Sequence, residues 1–168
     1  MRDYSKVSPS LWQSERFNGL PTDDARYLYL YLLTNEHQTM AGCYRLPTGY
    51  ACTDLRWTPE RYTAALADLE DSGLVLVDPG AQVIGITRWF RHNPPLSENH
   101  LTGIERQLER LPSDTIAEAM AEAAQEVWEA VRAEKAAKAA KAEQDKKPAP
   151  GGAGNGSHPL NQTPFMRR

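Results

Sequence analysis

The sequence predicts a mainly α fold with a small antiparallel sheet, and three observations predict it. Residues 58–71 open on a helix cap, Thr58 followed by Pro59 and Glu60, and then place Ala65, Leu66 and Leu69 at helical spacing. Gly73 follows where a left-handed residue would end that helix. Two short β-prone runs, 74–77 and 83–87, then flank the turn sequence Asp78-Pro79-Gly80. Residues 51–56 read as a short helix and Trp57 as a turn, so the order is helix, turn, helix, hairpin. That is the order of a winged helix-turn-helix. In such an arrangement the second helix is the candidate for the major groove and the hairpin for the neighbouring backbone.

The remaining elements follow from local signals. Residues 1–9 are polar and read as a flexible arm, in which Arg2 and Lys6 could touch a phosphate. Residues 10–20 carry Leu11, Trp12, Phe17 and Leu20, a short helix with Trp12 as a core anchor. In 22–36 aromatic residues and leucines alternate through Tyr27, Tyr29 and Tyr31. Both classes are apolar, so the alternation does not signal a strand. Thr22 with Asp23 and Asp24 supplies a cap and an acidic first turn, and Ala25, Leu28 and Leu32 complete a helical stripe. Residues 42–46 form a short strand, a third partner for the hairpin, and Pro47-Thr48-Gly49 a turn. Beyond the hairpin, Pro94-Pro95 ends regular structure and Ser97-Glu98 begins a helix with Leu101, Ile104, Leu108 and Leu111 on one side. Pro112 breaks it. A long helix runs over 113–146, capped by Ser113 or Thr115; after Val131 it is alanine, lysine and glutamate without an apolar stripe. Residues 147–168 are disordered by composition. The expected organisation is an arm (1–9), a winged helix (10–111), a long helix (113–146) and a tail (147–168).

Charge limits the partners. The chain carries 19 Lys and Arg against 22 Asp and Glu, a formal charge of −3. Residues 1–111 hold 11 basic and 14 acidic residues, so the globular part is not basic overall. Non-specific DNA binding rests on phosphate neutralisation, so any such contact must be local. No apolar run approaches membrane-spanning length and the N-terminus is no signal peptide, which makes cytoplasm the expected compartment. Cys43 and Cys52 form no CxxC pair. They read as two small buried thiols rather than as a zinc site completed by His37 or His92.

Five segments together carry a resemblance: YSKVSPSLWQSERFNGL, DDARYLYLYLLT, GCYRLPTGYACTDLRW, ALADLEDSGLV and ITRWFRHNPP. Their order resembles phage-encoded replisome organisers and the N-terminal winged-helix domain of DnaD-like primosome proteins, with the last segment matched to a tryptophan-containing strand. The resemblance covers residues 4–111. The C-terminal part departs from it: no second DnaD-type domain with a YxxxW motif is present, and Glu126-Val127-Trp128 does not match. Helicase loading attributed to such a second domain is therefore not implied.

The candidate nucleic-acid contacts are Arg61, Tyr62 and Thr63 near the start of the second helix, with Arg56 before it and Arg45, Arg88 and Arg91 on the wing side, extended by His92. Arginine pairs with guanine edges, and threonine reaches phosphates or a thymine methyl. Glu60, Asp68, Glu70 and Asp71 on the same helix oppose this, and each arginine also reads as half of a solvated ion pair. Trp57 and Trp89 read as core residues before stacking platforms. No Gly-rich phosphate loop, nucleophile elbow, HExxH or two-metal spacing occurs, so neither an enzyme nor a cofactor is expected.

The resulting expectation is a phage-type replication-initiation protein on duplex DNA. Its long helix and tail would recruit a helicase or loader, or assemble copies of the chain. The alternatives are a winged-helix docking or oligomerisation module without DNA contact, and a small winged-helix transcriptional regulator.

Overall fold

The computed structural model describes residues 5–145. A 3₁₀ turn, Pro9–Gln13, leads into α1, Glu15–Asn18, and α2, Asp23–Thr34. Strand β1, Cys43–Arg45, precedes α3, Thr48–Leu55, and α4, Pro59–Asp71. The hairpin is β2, Val75–Asp78, and β3, Val83–Ile86. Then come α5, Trp89–His92, α6, Glu98–Leu108, and α7, Asp114–Asp145. The strands form one antiparallel sheet ordered β1-β3-β2, with Cys43 opposite Gly85 and Leu76 opposite Gly85 on the other side. This is a winged-helix-like α+β fold followed by a long C-terminal helix.

The caps sit where the sequence places them. Thr22 Oγ1 accepts the Ala25 amide at 3.1 Å and donates to Asp68 at 2.8 Å, so one hydroxyl caps the start of α2 and ties it to α4. Thr58 caps α4 with Pro59 in its first turn, and Ser97 caps α6. The exit of α4 is a full Schellman motif: Leu74 N–H reaches Leu69 O at 3.1 Å, Gly73 N–H reaches Glu70 O at 2.8 Å, and Gly73 has φ +66°. The end of α3 repeats the motif with Trp57 N–H on Cys52 O, but its left-handed residue is Arg56, φ +56°.

The core joins Leu28 and Leu32 of α2, Ala51 of α3, Tyr62, Ala65 and Leu69 of α4, and the hairpin. All four residues of β3 are buried, because the sheet is covered on both sides. On one side Ile116 and Met120 of α7 press on Gly85, where a Cβ would stand 3.0 Å from Ile116 Cγ2. Gly42, φ +70°, lies under Trp89, whose indole donates to Met40 O at 2.9 Å; a Cβ on Gly42 would meet the ring at 2.2 Å. The compact unit extends through Ala133. It therefore takes in the first part of α7 with Ile116, Met120, Ala124 and Trp128, all buried. Glu134 begins a separate unit in which it pairs with Lys138 at 2.5 Å.

Four sequence expectations change. Pro47-Thr48-Gly49 is not a separate turn, because Pro47 caps α3 and Thr48 opens it. The tryptophan segment after the hairpin is the short helix α5 and not a strand, since Arg88 takes φ +58° and turns the chain away from the ladder. Trp12 is 63% exposed and only meets the edge of Phe17, so it is no core anchor. Residues 10–20 are two short pieces broken at Ser14, which ends the 3₁₀ turn and caps α1. The expected tail, 147–168, lies outside the described residues, as do residues 1–4 of the arm.

Candidate nucleic-acid interface

The seven predicted contact residues do not form one surface. Tyr62 is 2% exposed and belongs to the core, with its phenol pushed up to about 12 by burial. It is withdrawn as a base contact, because the apolar stripe of α4 turns it inward. Arg61 is occupied. Its Nε and Nη2 donate to Asp24 of α2, the first at 2.6 Å, and its guanidinium lies 4.3 Å from the Trp57 ring centroid. Trp57 is half-buried and also meets Tyr27 at 5.8 Å. The arginine chosen for a guanine edge thus clamps α4 to α2.

The groove between α4 and the hairpin has a volume of about 210 Å³ and holds Thr63, Leu66, Ala67 and Pro79. Its charged lining residues among those described are Glu70 and Asp78, with no Lys or Arg. Arg45 is exposed beside this groove on the β1 edge, where it donates to Gln82 at 3.3 Å. Arg56 is exposed at the end of α3. The surface that a winged helix turns to the major groove therefore carries carboxylates in its hollow and positive charge only at its margins.

The positive charge gathers at the other end of the hairpin. A cavity of about 290 Å³ lies between the N-terminal segment, α2 and the β3–α5 junction. Lys6, Arg16, Arg88, Arg91 and His92 line it, and among the described residues no Asp or Glu does. Arg88 and Arg91 were expected as backbone contacts, and they meet here. Arg16 was missed. It joins the cluster because its Nη1 donates to Gly73 O at 3.4 Å, a carbonyl that Thr87 Oγ1 also bonds at 2.7 Å. That contact spans 57 residues, so no local signal announces it.

Such a lining favours an anion, because Arg16, Arg88 and Arg91 are like charges and none of the described lining residues is an Asp or Glu. Arg88 holds its place at a backbone cost, since a left-handed residue with a Cβ is disfavoured by about 1 kcal/mol. Among the described residues no group of three or more His, Cys, Asp or Glu could hold a metal ion, and no helix is long and apolar enough to cross a membrane. Cys43 is buried and Cys52 partly so. Comparison with protein-family models, with curated proteins and with solved structures gives no significant match.

Proposed function

We propose that the chain is a DNA-binding replication-initiation protein of the phage replisome-organiser type, acting in the cytoplasm without catalysis. It holds duplex phosphates with the edge formed by Arg16, Arg88 and Arg91. The observation that carries this reading is the cavity lined by Arg16, Arg88 and Arg91, with no Asp or Glu among its described lining residues, in a chain whose formal charge is −3. Its support is also the winged-helix-like order of elements and the resemblance over residues 4–111. Affinity would come from phosphate contacts, which position a protein but do not by themselves read sequence. The long helix and the tail remain the segments that would recruit a helicase or loader or a second copy.

The test is fluorescence anisotropy with a labelled random duplex over a series of salt concentrations. Each phosphate contact adds about 0.9 to the slope of log affinity against log salt. The double variant R88A/R91A should lower both affinity and slope, whereas an unchanged slope contradicts the placement.

One observation favours a second reading for a different face. The hollow between α4 and the hairpin is acidic through Glu70 and Asp78 and partly apolar through Leu66 and Pro79. That chemistry suits a basic protein segment better than a phosphate backbone. A salt-resistant complex with a replication protein, lost on E70K and kept in R88A/R91A, would support it.

A further inference from the structure

We propose that the cationic cavity takes one unpaired nucleotide, as part of a single strand or as a free nucleoside monophosphate. The inference deepens the DNA-binding reading and rests on it. The cavity is amphipathic rather than merely charged. Beside its basic side chains it has an apolar wall made of Leu11, Leu33, Leu74 and Ile86, with the rings of Tyr29 and Trp89. Tyr29, Leu74, Ile86 and Trp89 are already buried and offer only their edges, whereas Leu11 and Leu33 are partly exposed, and an inorganic anion or a duplex backbone leaves those two in water. A nucleotide uses the basic side chains and the apolar wall together, since it joins a phosphate to a planar, largely apolar base.

Size narrows the occupant further. About 290 Å³ is at the low end of small-molecule cavities, room for one nucleotide unit and far too little for a base pair. A paired base would have to leave its stack to enter, so the site discriminates against intact duplex. The walls are preformed. The Trp89 indole is fixed by its bond to Met40 O, and Tyr29 packs on Phe17 at 6.0 Å between ring centroids. Arg16 is tethered through Gly73 O to the segment that carries Arg88. These groups need little reordering when a ligand arrives, which preserves affinity.

The experiment uses the full chain and anisotropy of a labelled oligothymidylate and of a labelled duplex at equal salt. Thymidine monophosphate and inorganic phosphate serve as competitors. Leu11→Trp fills the cavity from its rim without changing charge. Ser10→Trp, at an exposed lining position, narrows the same cavity without changing charge and keeps the test open if the first variant does not fold. Each variant should weaken oligothymidylate binding about tenfold, the scale of one stacked base, and leave duplex binding unchanged. Thymidine monophosphate should compete where the same concentration of phosphate does not. The proposal is overturned if neither variant changes oligothymidylate binding, if both weaken duplex equally, or if phosphate competes as well as the nucleotide. Wild-type protein that binds oligothymidylate but no duplex would contradict the duplex reading and leave the nucleotide site standing.

Discussion

Arg61 and Asp24 lie 37 residues apart and form a two-point fork between α4 and α2, with the Arg61 guanidinium roofing Trp57. The fork makes Arg61 a structural clamp. R61A or D24N should lower the melting temperature, and R61A should leave duplex affinity almost unchanged. Hydrogen bonds from Arg61 hold the Asp24 carboxyl below its ordinary 3.8. The folded pKa is depressed, so the stabilisation is present above 3.8 and is lost as pH falls through the folded value. Acid unfolding followed by circular dichroism should therefore begin at higher pH in R61A than in the wild type.

Arg88 offers a test in which stability and binding move in opposite directions. Its φ of +58° suits glycine, so R88G should stabilise the fold by roughly 0.5–1 kcal/mol while weakening anion binding. Thermal melts and duplex titrations on the same preparation check both signs. A less stable R88G would mean that the side chain packs rather than binds.

Gly42 has no such freedom to change. G42A combines a left-handed backbone with a Cβ driven into Trp89, and should cost about 2–4 kcal/mol. Gly49 in α3 is the internal control: nothing lies within 4 Å of its added Cβ, so G49A should be neutral or stabilising by up to about 1 kcal/mol. Urea denaturation of the two variants measures the contrast.

The Tyr44 hydroxyl is buried, donates to Leu32 O at 2.6 Å and accepts from Asn35 Nδ2 at 2.7 Å. Y44F should cost about 1–3 kcal/mol, because Asn35 is left with a donor facing a hydrocarbon edge. Burial raises the Tyr44 phenol well above 10 and moves Tyr62 up to about 12. Both folded values exceed the unfolded one, so stability is intact below pH 10 and is lost as pH rises through the folded values. Ultraviolet titration should show these two tyrosines ionising only with unfolding.

The architecture was legible in the sequence because its signals are local. Caps at Thr22, Thr58 and Ser97, the terminator Gly73 and the turn at Pro79 each act within a few residues. The three closely spaced tyrosines of α2 looked alike, yet Tyr27 meets Trp57, Tyr29 meets Phe17 and Tyr31 donates to Asp54 at 2.6 Å. Helical rotation separates them, and only the tertiary partners give each its role. The site was less legible for the same reason. Counting arginines along α4 could not show that Asp24 would take Arg61, and nothing near Arg16 forecast its bond to Gly73. Arg45, Arg88, Arg91 and His92 were expected on one wing-side surface; Arg88, Arg91 and His92 line one cavity, away from the hollow holding Thr63, and Arg45 does not line it.

On the proposed function, duplex DNA meets the edge of Arg16, Arg88 and Arg91 and not the hollow beside α4. Amide chemical-shift mapping of the full chain with an unlabelled random duplex at low salt tests it most directly. Perturbations should concentrate at Arg16, Thr87, Arg88, Arg91 and His92 and fade as salt rises. Perturbations concentrated at Thr63, Ala67 and Glu70 on α4, with the cationic end unmoved, would contradict it.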